Sequence, residues 1–337
     1  MASTKEKEMT TKFDRIFLIH LNLNFMPFSL FCRLASLFRI KNHAFGSVSK
    51  ITVKCLQGLV QALDFRTLVK MNSDIVRTGL LTFFNNCADD LFSAVNELKE
   101  QGQYSLLRGG NLKSWASLEF ACQMIIPVLT TMFFHLAKNH FGTELLLDDI
   151  QAACYKILDS LYMVTGLVDT YSQRTSIKFE METHRTGLGQ CLGAFASCFP
   201  IAFLEPELNA NNKLSVLAKS RDQSVQVQEM LQNLSQHIPQ LEKLLAVIEN
   251  CAEKDVNYSA QPNTFDIDLP LISSYLSYWW QFGPEGPSGD RKTAVPTTQV
   301  ISSHINRFFC ALLKLMRDHV NSQNAPWLCR IHRKLFL

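Results

Sequence analysis

A helical repeat of apolar residues runs through most of the chain, and it constrains the fold more than any other feature. Apolar side chains recur at spacings of three and four residues, which places them on one face of an α-helix. Examples of such stripes are Leu56, Leu59, Val60 and Leu63; Ile150, Cys154, Ile157, Leu158 and Leu161; and Ile305, Phe308, Phe309 and Leu312. Alternation of polar and apolar residues over strand length is nearly absent. The sequence therefore predicts an all-α fold with no sheet.

The stripes and the residues between them give a list of predicted helices. They span 29–40, 47–64, 73–100, 115–140, 148–165, 186–199, 224–250 with a break at Pro239, 268–281 and 299–320. Short connections between successive helices favour antiparallel pairs that stack into an α-solenoid. No strict repeat period is legible, which argues against a regular consensus array.

Several polar residues and prolines predict where helices begin or bend. Ser73-Asp74 and Asp148-Asp149 are expected to open helices, because short acidic side chains accept hydrogen bonds from the first backbone amides. Pro127 lies inside a long apolar stretch and predicts a kink or break near Met124.

Composition restricts the class of function. Apolar residues make up 47% of the chain and charged residues 19%, the balance of a globular protein with a substantial core. The net charge of +3 does not predict a nucleic-acid partner. The ten cysteines include no C-x-x-C pair, and most lie in apolar helical stripes. They are predicted to be reduced thiols of a cytosolic protein.

One segment, Ile16–Phe38, is apolar enough to be tested as a membrane span. It is interrupted by His20, Asn22, Asn24, Pro27 and Arg33. Polar groups in hydrocarbon are costly, and a span needs about 20 mostly apolar residues. We therefore predict no membrane insertion from this chain.

Possible sites for chemistry were weighed against structural explanations. Gly187, Gly189 and Gly193 could suggest a phosphate loop, but charged residues precede them where a strand is needed, so close helix packing or a loop explains them better. His135 and His140 are spaced so that they lie about 140° apart around a helix and do not converge on a metal. The sequence predicts no catalytic, cofactor-binding or metal-binding residue.

The cluster Tyr278-Trp279-Trp280 has two interpretations. Large aromatic side chains at a helix end can close a core, or they can anchor a contact with another domain. Both interpretations remain open at this stage.

A series of segments, read in order, resembles a known family. They are SLFCRLASLFR (Ser29–Arg39), KCLQGLVQALDFRTLVK (Lys54–Lys70), PVLTTMFFHLAKNHFG (Pro127–Gly142), LLLDDIQAACYKILDSLY (Leu145–Tyr162), LGQCLGAFASCFPIAFLEPELN (Leu188–Asn209), IPQLEKLL (Ile238–Leu245) and LPLISSYLSYWWQFGPE (Leu269–Glu285). These blocks resemble consecutive parts of the large cytosolic helical region, the bridging solenoid, of the ryanodine receptors.

The resemblance implies a role and a set of partners. The parent protein would be a homotetrameric calcium-release channel, and this segment would be a non-catalytic scaffold on the cytosolic face of the sarcoplasmic or endoplasmic reticulum membrane. Its partners would be other regions and subunits of the channel, and the pore would lie elsewhere. No cofactor is implied.

Comparison with the family pattern gives the expected domain organisation. Residues 1–28 form an N-terminal segment in which 10–28 resembles a foreign insertion. Residues 29–282 form the helical solenoid, with a smaller insertion at Ser176–His184. A flexible Gly/Pro-rich loop over 283–298 precedes a last helix at 299–320, and 321–337 is a divergent tail.

Two other functions were considered. A free-standing helical-repeat adaptor that binds a protein partner would be expected to expose an apolar patch. An enzyme would need a buried cluster of titratable groups in a pocket, and no residue spacing suggests one.

Overall fold

Helices make up most of the part of the chain that the structure describes. The computed structural model describes residues 25–40, 50–104, 118–139, 149–170, 175–199, 224–254, 256, 258, 260–287 and 296–319. Within these ranges there is no strand. The predicted all-α fold is confirmed.

The helices are numbered here in chain order. They are α1 (25–40), α2 (Lys50–Ala62), α3 (Phe65–Tyr104), α4 (Leu118–Phe120, a π-helical turn Ala121–Ile125, then Ile126–Lys138), α5 (Asp149–Thr170), α6 (Thr175–Cys198), α7 (Val225–His237), α8 (Leu241–Glu253), α9 (262–282, with a π-helical turn Thr264–Asp268 before Leu269–Phe282) and α10 (Ser302–His319).

Most helices pack on the helix two places along the chain rather than on the next one. In one row α3 packs on α5 and α5 on α7, and in the other α2 packs on α4 and α4 on α6. Helix α6 also packs on α9, and α8 packs on α10. The buried side chains of both rows belong to one hydrophobic core.

A chain of aromatic rings connects the two rows through this core. Phe31 of α1 meets Phe83 of α3 with ring centroids 5.0 Å apart, and Phe84 stacks on Phe133 of α4 at 5.8 Å. Phe133 in turn meets Phe195 of α6 edge-on at 5.0 Å. Such pairs add to the free energy gained by burying the ring area.

The boundary between α2 and α3 differs from the prediction. Helix α2 ends at Ala62, and α3 begins at Phe65 and runs without interruption through Ser73-Asp74. The residue that caps α3 is Asp64, whose Oδ1 accepts from the backbone amide of Arg66 at 3.1 Å. Its Oδ2 accepts from the hydroxyl of Thr67 at 2.7 Å, which is the main reason that the pKa of Asp64 is lowered. The predicted start at Ser73-Asp74 is wrong: the turn stays helical between Leu68 and Val76, whose side chains are buried in the core.

We predict that Asp64→Ala lowers the free energy of unfolding by about 1 kcal/mol, the usual effect of losing an N-terminal cap. Asp64→Asn keeps an accepting oxygen and is expected to lose less than half as much. Urea unfolding followed by circular dichroism measures both variants. Equal loss in the two variants would show that the carboxylate acts through its charge and not through the cap.

The proline in α4 follows a π-helical turn, at the place where a kink or break was predicted near Met124. Proline lacks an amide hydrogen, and its ring collides with the carbonyl of the residue four places earlier. The wider turn Ala121–Ile125 precedes Pro127, and the chain stays helical on both sides. The same arrangement occurs in α9, where the turn Thr264–Asp268 precedes Pro270. The break predicted at Pro239 is confirmed, since it lies between α7 and α8.

Two segments predicted to be insertions are partly helical. Residues 25–28 belong to α1, and Phe28 is buried in the core, so the end of the predicted insertion 10–28 is part of the fold. Residues 10–24 lie outside the described ranges. Ser176–His184 lies within α6, which begins at Thr175 and not at the predicted residue 186.

One stretch in the described part of the chain has the length and composition of a membrane span. It is Ala121–Lys138 in α4, with a mean hydropathy of 1.3, and half of it is buried inside the protein. The sequence had pointed only to Ile16–Phe38. The buried side chains of α4, which include Leu129, Met132 and Phe133, pack against α2 and α6 as a core helix does.

Candidate functional site

A cavity of about 180 Å³ lies between α1, α3 and the beginning of α4. The π-helical turn of α4 brings Met124 and Ile125 to its wall, and Val128 follows one turn later. The remaining lining residues are Cys32, Ala35, Ser36, Arg39, Leu56, Thr78, Gly79, Thr82, Phe83, Asn86, Cys87 and Asp90. Most of the wall is apolar, so the cavity suits a small neutral molecule.

An ion pair closes the polar end of this cavity. The Nε atom of Arg39 donates to both carboxylate oxygens of Asp90, at 3.0 and 2.9 Å, and Nη2 donates to Oδ1 at 2.9 Å. Nη1 donates to Oδ1 of Asn86 at 3.0 Å. The hydrogen bond to Asp90 is the main cause of the raised pKa of Arg39. Because Asp90 is buried and already binds the guanidinium, this end of the cavity offers no unbalanced charge to an ionic ligand.

The two cysteines in the cavity wall are poor nucleophiles. Burial raises the pKa of Cys32 to about 11 and raises that of Cys87 well above its ordinary value. The thiolate is the reactive form of cysteine. At neutral pH both side chains therefore stay protonated, and neither supplies a thiolate nucleophile to the cavity.

A second polar cluster surrounds the π-helical turn of α9. Arg185 of α6 is buried and donates from Nε to Oδ1 of Asn263 at 2.9 Å. The hydroxyl of Tyr258 donates to Oδ2 of the buried Asp266 at 2.5 Å. Gly189 of α6 lies so close to the carbonyl oxygen of Asp266 that an added Cβ would be 1.9 Å from it. The cluster therefore fixes α6 against α9.

The glycines that resembled a phosphate loop lie inside α6, and no strand precedes them in the described residues. The prediction of close helix packing is confirmed at Gly189 by its contact with Asp266. At Gly187 an added Cβ would meet only Ile126, at 4.0 Å. Of these two glycines, only Gly189 is required by a close approach of two helices.

Of the two histidines that were not expected to converge on a metal, only His135 lies in the described residues. The Nε2 atom of His135 lies 2.7 Å from the carbonyl oxygen of Leu63, which connects α4 to the turn between α2 and α3. His140 lies outside the described residues. Across the part of the chain that the structure describes, no group of three His, Cys, Asp or Glu side chains is placed to hold a metal ion.

In the aromatic cluster at the end of α9, two side chains close the core and the third is exposed. Tyr278 hydrogen-bonds through its hydroxyl to Thr297 at 2.6 Å, and Trp279 donates from Nε1 to the carbonyl oxygen of Val300 at 2.8 Å. These two side chains close the core and hold one end of the predicted loop 283–298, of which residues 288–295 lie outside the described ranges. Trp280 is exposed and is available for a contact.

None of the cysteines in the described residues forms a disulfide. Five are buried: Cys87, Cys154, Cys191, Cys198 and Cys251. The thiol of Cys198 donates to the carbonyl oxygen of Phe133 at 2.9 Å, and burial raises its pKa. These cysteines act as small core residues, and Cys329 lies outside the described ranges.

The sequence gives no direct indication that Arg39 and Asp90 meet in a cavity. One signal was present, because Asp90 occupies a core position in the stripe Leu80, Phe83, Cys87, Asp90 and Ala94. A charged residue at such a position needs a buried partner. No protein-family model matches the chain.

Proposed function

We propose that this chain is a non-catalytic cytosolic scaffold segment of a ryanodine-sensitive calcium-release channel, with its helices arranged as an α-solenoid. The resemblance of the ordered sequence blocks is the source of the channel assignment. The observation that supports a scaffold is the packing in two rows over one core, in which α3 packs on α5 while α4 packs on α6. Successive helical hairpins of a solenoid pack in this way.

A scaffold that transmits conformational changes must move as a packed unit. The aromatic chain from Phe31 to Phe195 connects α1, α3, α4 and α6 without a gap. Close-packed cores deform little and pass displacements on to their neighbours. In the proposed channel this segment couples movements between other regions and subunits of the homotetramer.

Ion pairs extend the packed unit to the last helices. Arg307 of α10 donates to Glu249 at 2.7 Å and to Glu242 at 2.6 Å, both on α8. His237 at the end of α7 lies 2.7 Å from Asp159 of α5. Each contact is partly exposed and contributes little to stability by itself, but together they fix how these helices lie against each other.

The second candidate function is a free-standing adaptor that binds a protein partner. The exposed apolar side chains on α1, among them Met26 and Leu37, favour it. Both candidates are scaffolds without chemistry of their own. They differ in whether the native protein is part of a channel.

The experiment is an immunoprecipitation from native membranes and cytosol with antibodies raised against the recombinant chain. We expect a membrane protein far larger than the 38.3 kDa of this chain, together with calcium-sensitive binding of radiolabelled ryanodine. Antibodies absorbed with the recombinant chain are the control. A soluble 38.3 kDa protein without ryanodine binding would overturn the channel assignment and support the adaptor.

A further inference from the structure

The outer side of α1 carries an exposed apolar stripe with the spacing of a helix-pairing seam. Its members, called the α1 seam here, are Met26, Leu30, Arg33, Leu37 and Ile40. The four apolar members are between 44% and 70% exposed, and Arg33 is exposed as well. Successive members are separated by four, three, four and three residues. This average of about 3.5 residues is the repeat with which two helices pack along their length.

The α1 seam lies opposite the side on which α1 packs. Counted at about 100° per residue, its five members fall within roughly 80° of one another. Phe28 and Phe31 lie on the other side of the helix and are buried. Phe28 reaches Gly79 of α3, and Phe31 meets Phe83 of α3. Among the described residues, α3 packs on both α1 and α5, and the α1 seam faces away from α3.

The charge at the centre of the seam argues against a second copy of the chain as its occupant. Arg33 is the middle member, seven residues from both Met26 and Ile40. A parallel pair in register, or an antiparallel pair centred on this residue, places Arg33 against Arg33. An antiparallel pair shifted by one layer places two Arg33 side chains in adjacent layers against leucine. The segment 25–40 has no acidic residue to neutralise them.

Within the part of the chain that the structure describes, no carboxylate forms an ion pair with Arg33, so its charge can serve a partner. Asp74 of α3 lines the groove next to Arg33, but the two form no ion pair within the described residues. Arg39 is the second arginine of α1, and its guanidinium already forms an ion pair with Asp90. A partner helix with an acidic side chain opposite Arg33 would form an ion pair at this position, where a second copy of the chain would place like charges or leucine.

We propose that the α1 seam is the docking site for one amphipathic helix of a different polypeptide segment, with leucine-type side chains along its length and an aspartate or glutamate opposite Arg33. The apolar layers on either side supply the buried area, and the central ion pair selects the partner and fixes its register. The proposal does not depend on the channel assignment, because it rests on the spacing, exposure and charge of α1 alone.

The test uses the full chain and two synthetic helical peptides labelled with a fluorophore. The peptides have leucine at the first and fourth positions of each heptad and differ only in a central glutamate or lysine. We expect the glutamate peptide to bind about tenfold or more tightly than the lysine peptide, as opposite charges at a docking surface favour one partner and like charges oppose the other. In Arg33→Glu the preference should reverse. Fluorescence anisotropy measures all four affinities.

A matched control separates the seam from general stickiness. Leu37 and Leu313 are leucines of similar exposure, 61% and 63%, on α1 and α10. Leu37→Asp should abolish binding of the glutamate peptide, and Leu313→Asp should leave it unchanged. Circular dichroism of both variants confirms that each is folded. Equal binding of the two peptides, or equal effects of the two aspartates, would overturn the proposal.

Sedimentation and vesicle binding test the other occupants. The wild-type chain should show no association through α1, whereas Arg33→Leu, which makes the seam wholly apolar, should form dimers that Leu37→Asp dissociates. A wild-type dimer that Leu37→Asp dissociates would show that the seam pairs with a second copy. Binding to neutral phosphatidylcholine vesicles that Leu37→Asp abolishes would show that it contacts a membrane. Either result would contradict the proposed helix.

Discussion

Gly189→Ala is expected to lower the free energy of unfolding by about 3 kcal/mol, the upper part of the usual range for forcing extra atoms into a packed site. The added Cβ would lie 1.9 Å from the carbonyl oxygen of Asp266 and 3.3 Å from the Cα atom of Ile267. Both are backbone atoms of the π-helical turn in α9, so no side-chain rotation relieves the collision. The two helices must move apart, and the buried cluster at Arg185 and Asp266 is disturbed with them.

Gly187→Ala is the matched control in the same helix. Its Cβ would have Ile126 as the nearest atom, at an ordinary contact distance of 4.0 Å. Alanine is favoured over glycine inside a helix by about 1 kcal/mol, so this variant should be more stable than the wild type. Urea unfolding measured by far-ultraviolet circular dichroism compares the two. If Gly189→Ala is as stable as Gly187→Ala, α6 does not approach α9 as closely as the structure has it.

Phe133→Ala is expected to lower the free energy of unfolding by about 3–5 kcal/mol, as is usual for removing a fully buried aromatic side chain. Phe133 lies at the centre of the core, between Phe84 of α3 and Phe195 of α6. Its removal leaves a cavity where the two rows of helices meet. Because the rings on both sides lose a neighbour, the transition should also become broader as the rows separate.

Phe134→Ala removes the same side chain one position along α4. Phe134 is 40% exposed, so its loss should cost about 1–2 kcal/mol by the area of apolar surface involved, clearly less than the loss of Phe133. Thermal and urea unfolding of both variants give the comparison. Similar losses at the two positions would mean that α4 is rotated about its axis relative to this structure.

The sequence indicated close packing at Gly189 but not the cavity at Arg39 and Asp90. In both cases a local pattern shows that a residue needs a neighbour and does not show which neighbour it has. Glycines in a helical pattern indicate that something approaches closely, and the sequence was sufficient to prefer packing over a phosphate loop. It did not reveal that the approaching group is the carbonyl of Asp266. Likewise Asp90 occupies a core stripe and needs a partner, but Arg39 is 51 residues away. No local pattern connects two such positions.

The sequence by itself determined that the chain is all-α, because the 3.6-residue repeat of apolar side chains decides which backbone can bury them. It also determined the break at Pro239 and the start of α5 at Asp149, since a missing amide and an acidic side chain in the first helical turn act locally. Only the tertiary structure decided that α3 continues through Ser73-Asp74 and that Pro127 follows a π-helical turn. At Ser73-Asp74 the burial of the helix face outweighs a local preference of about 1 kcal/mol, and in α4 it keeps the helix continuous although proline opposes helix by about 3 kcal/mol.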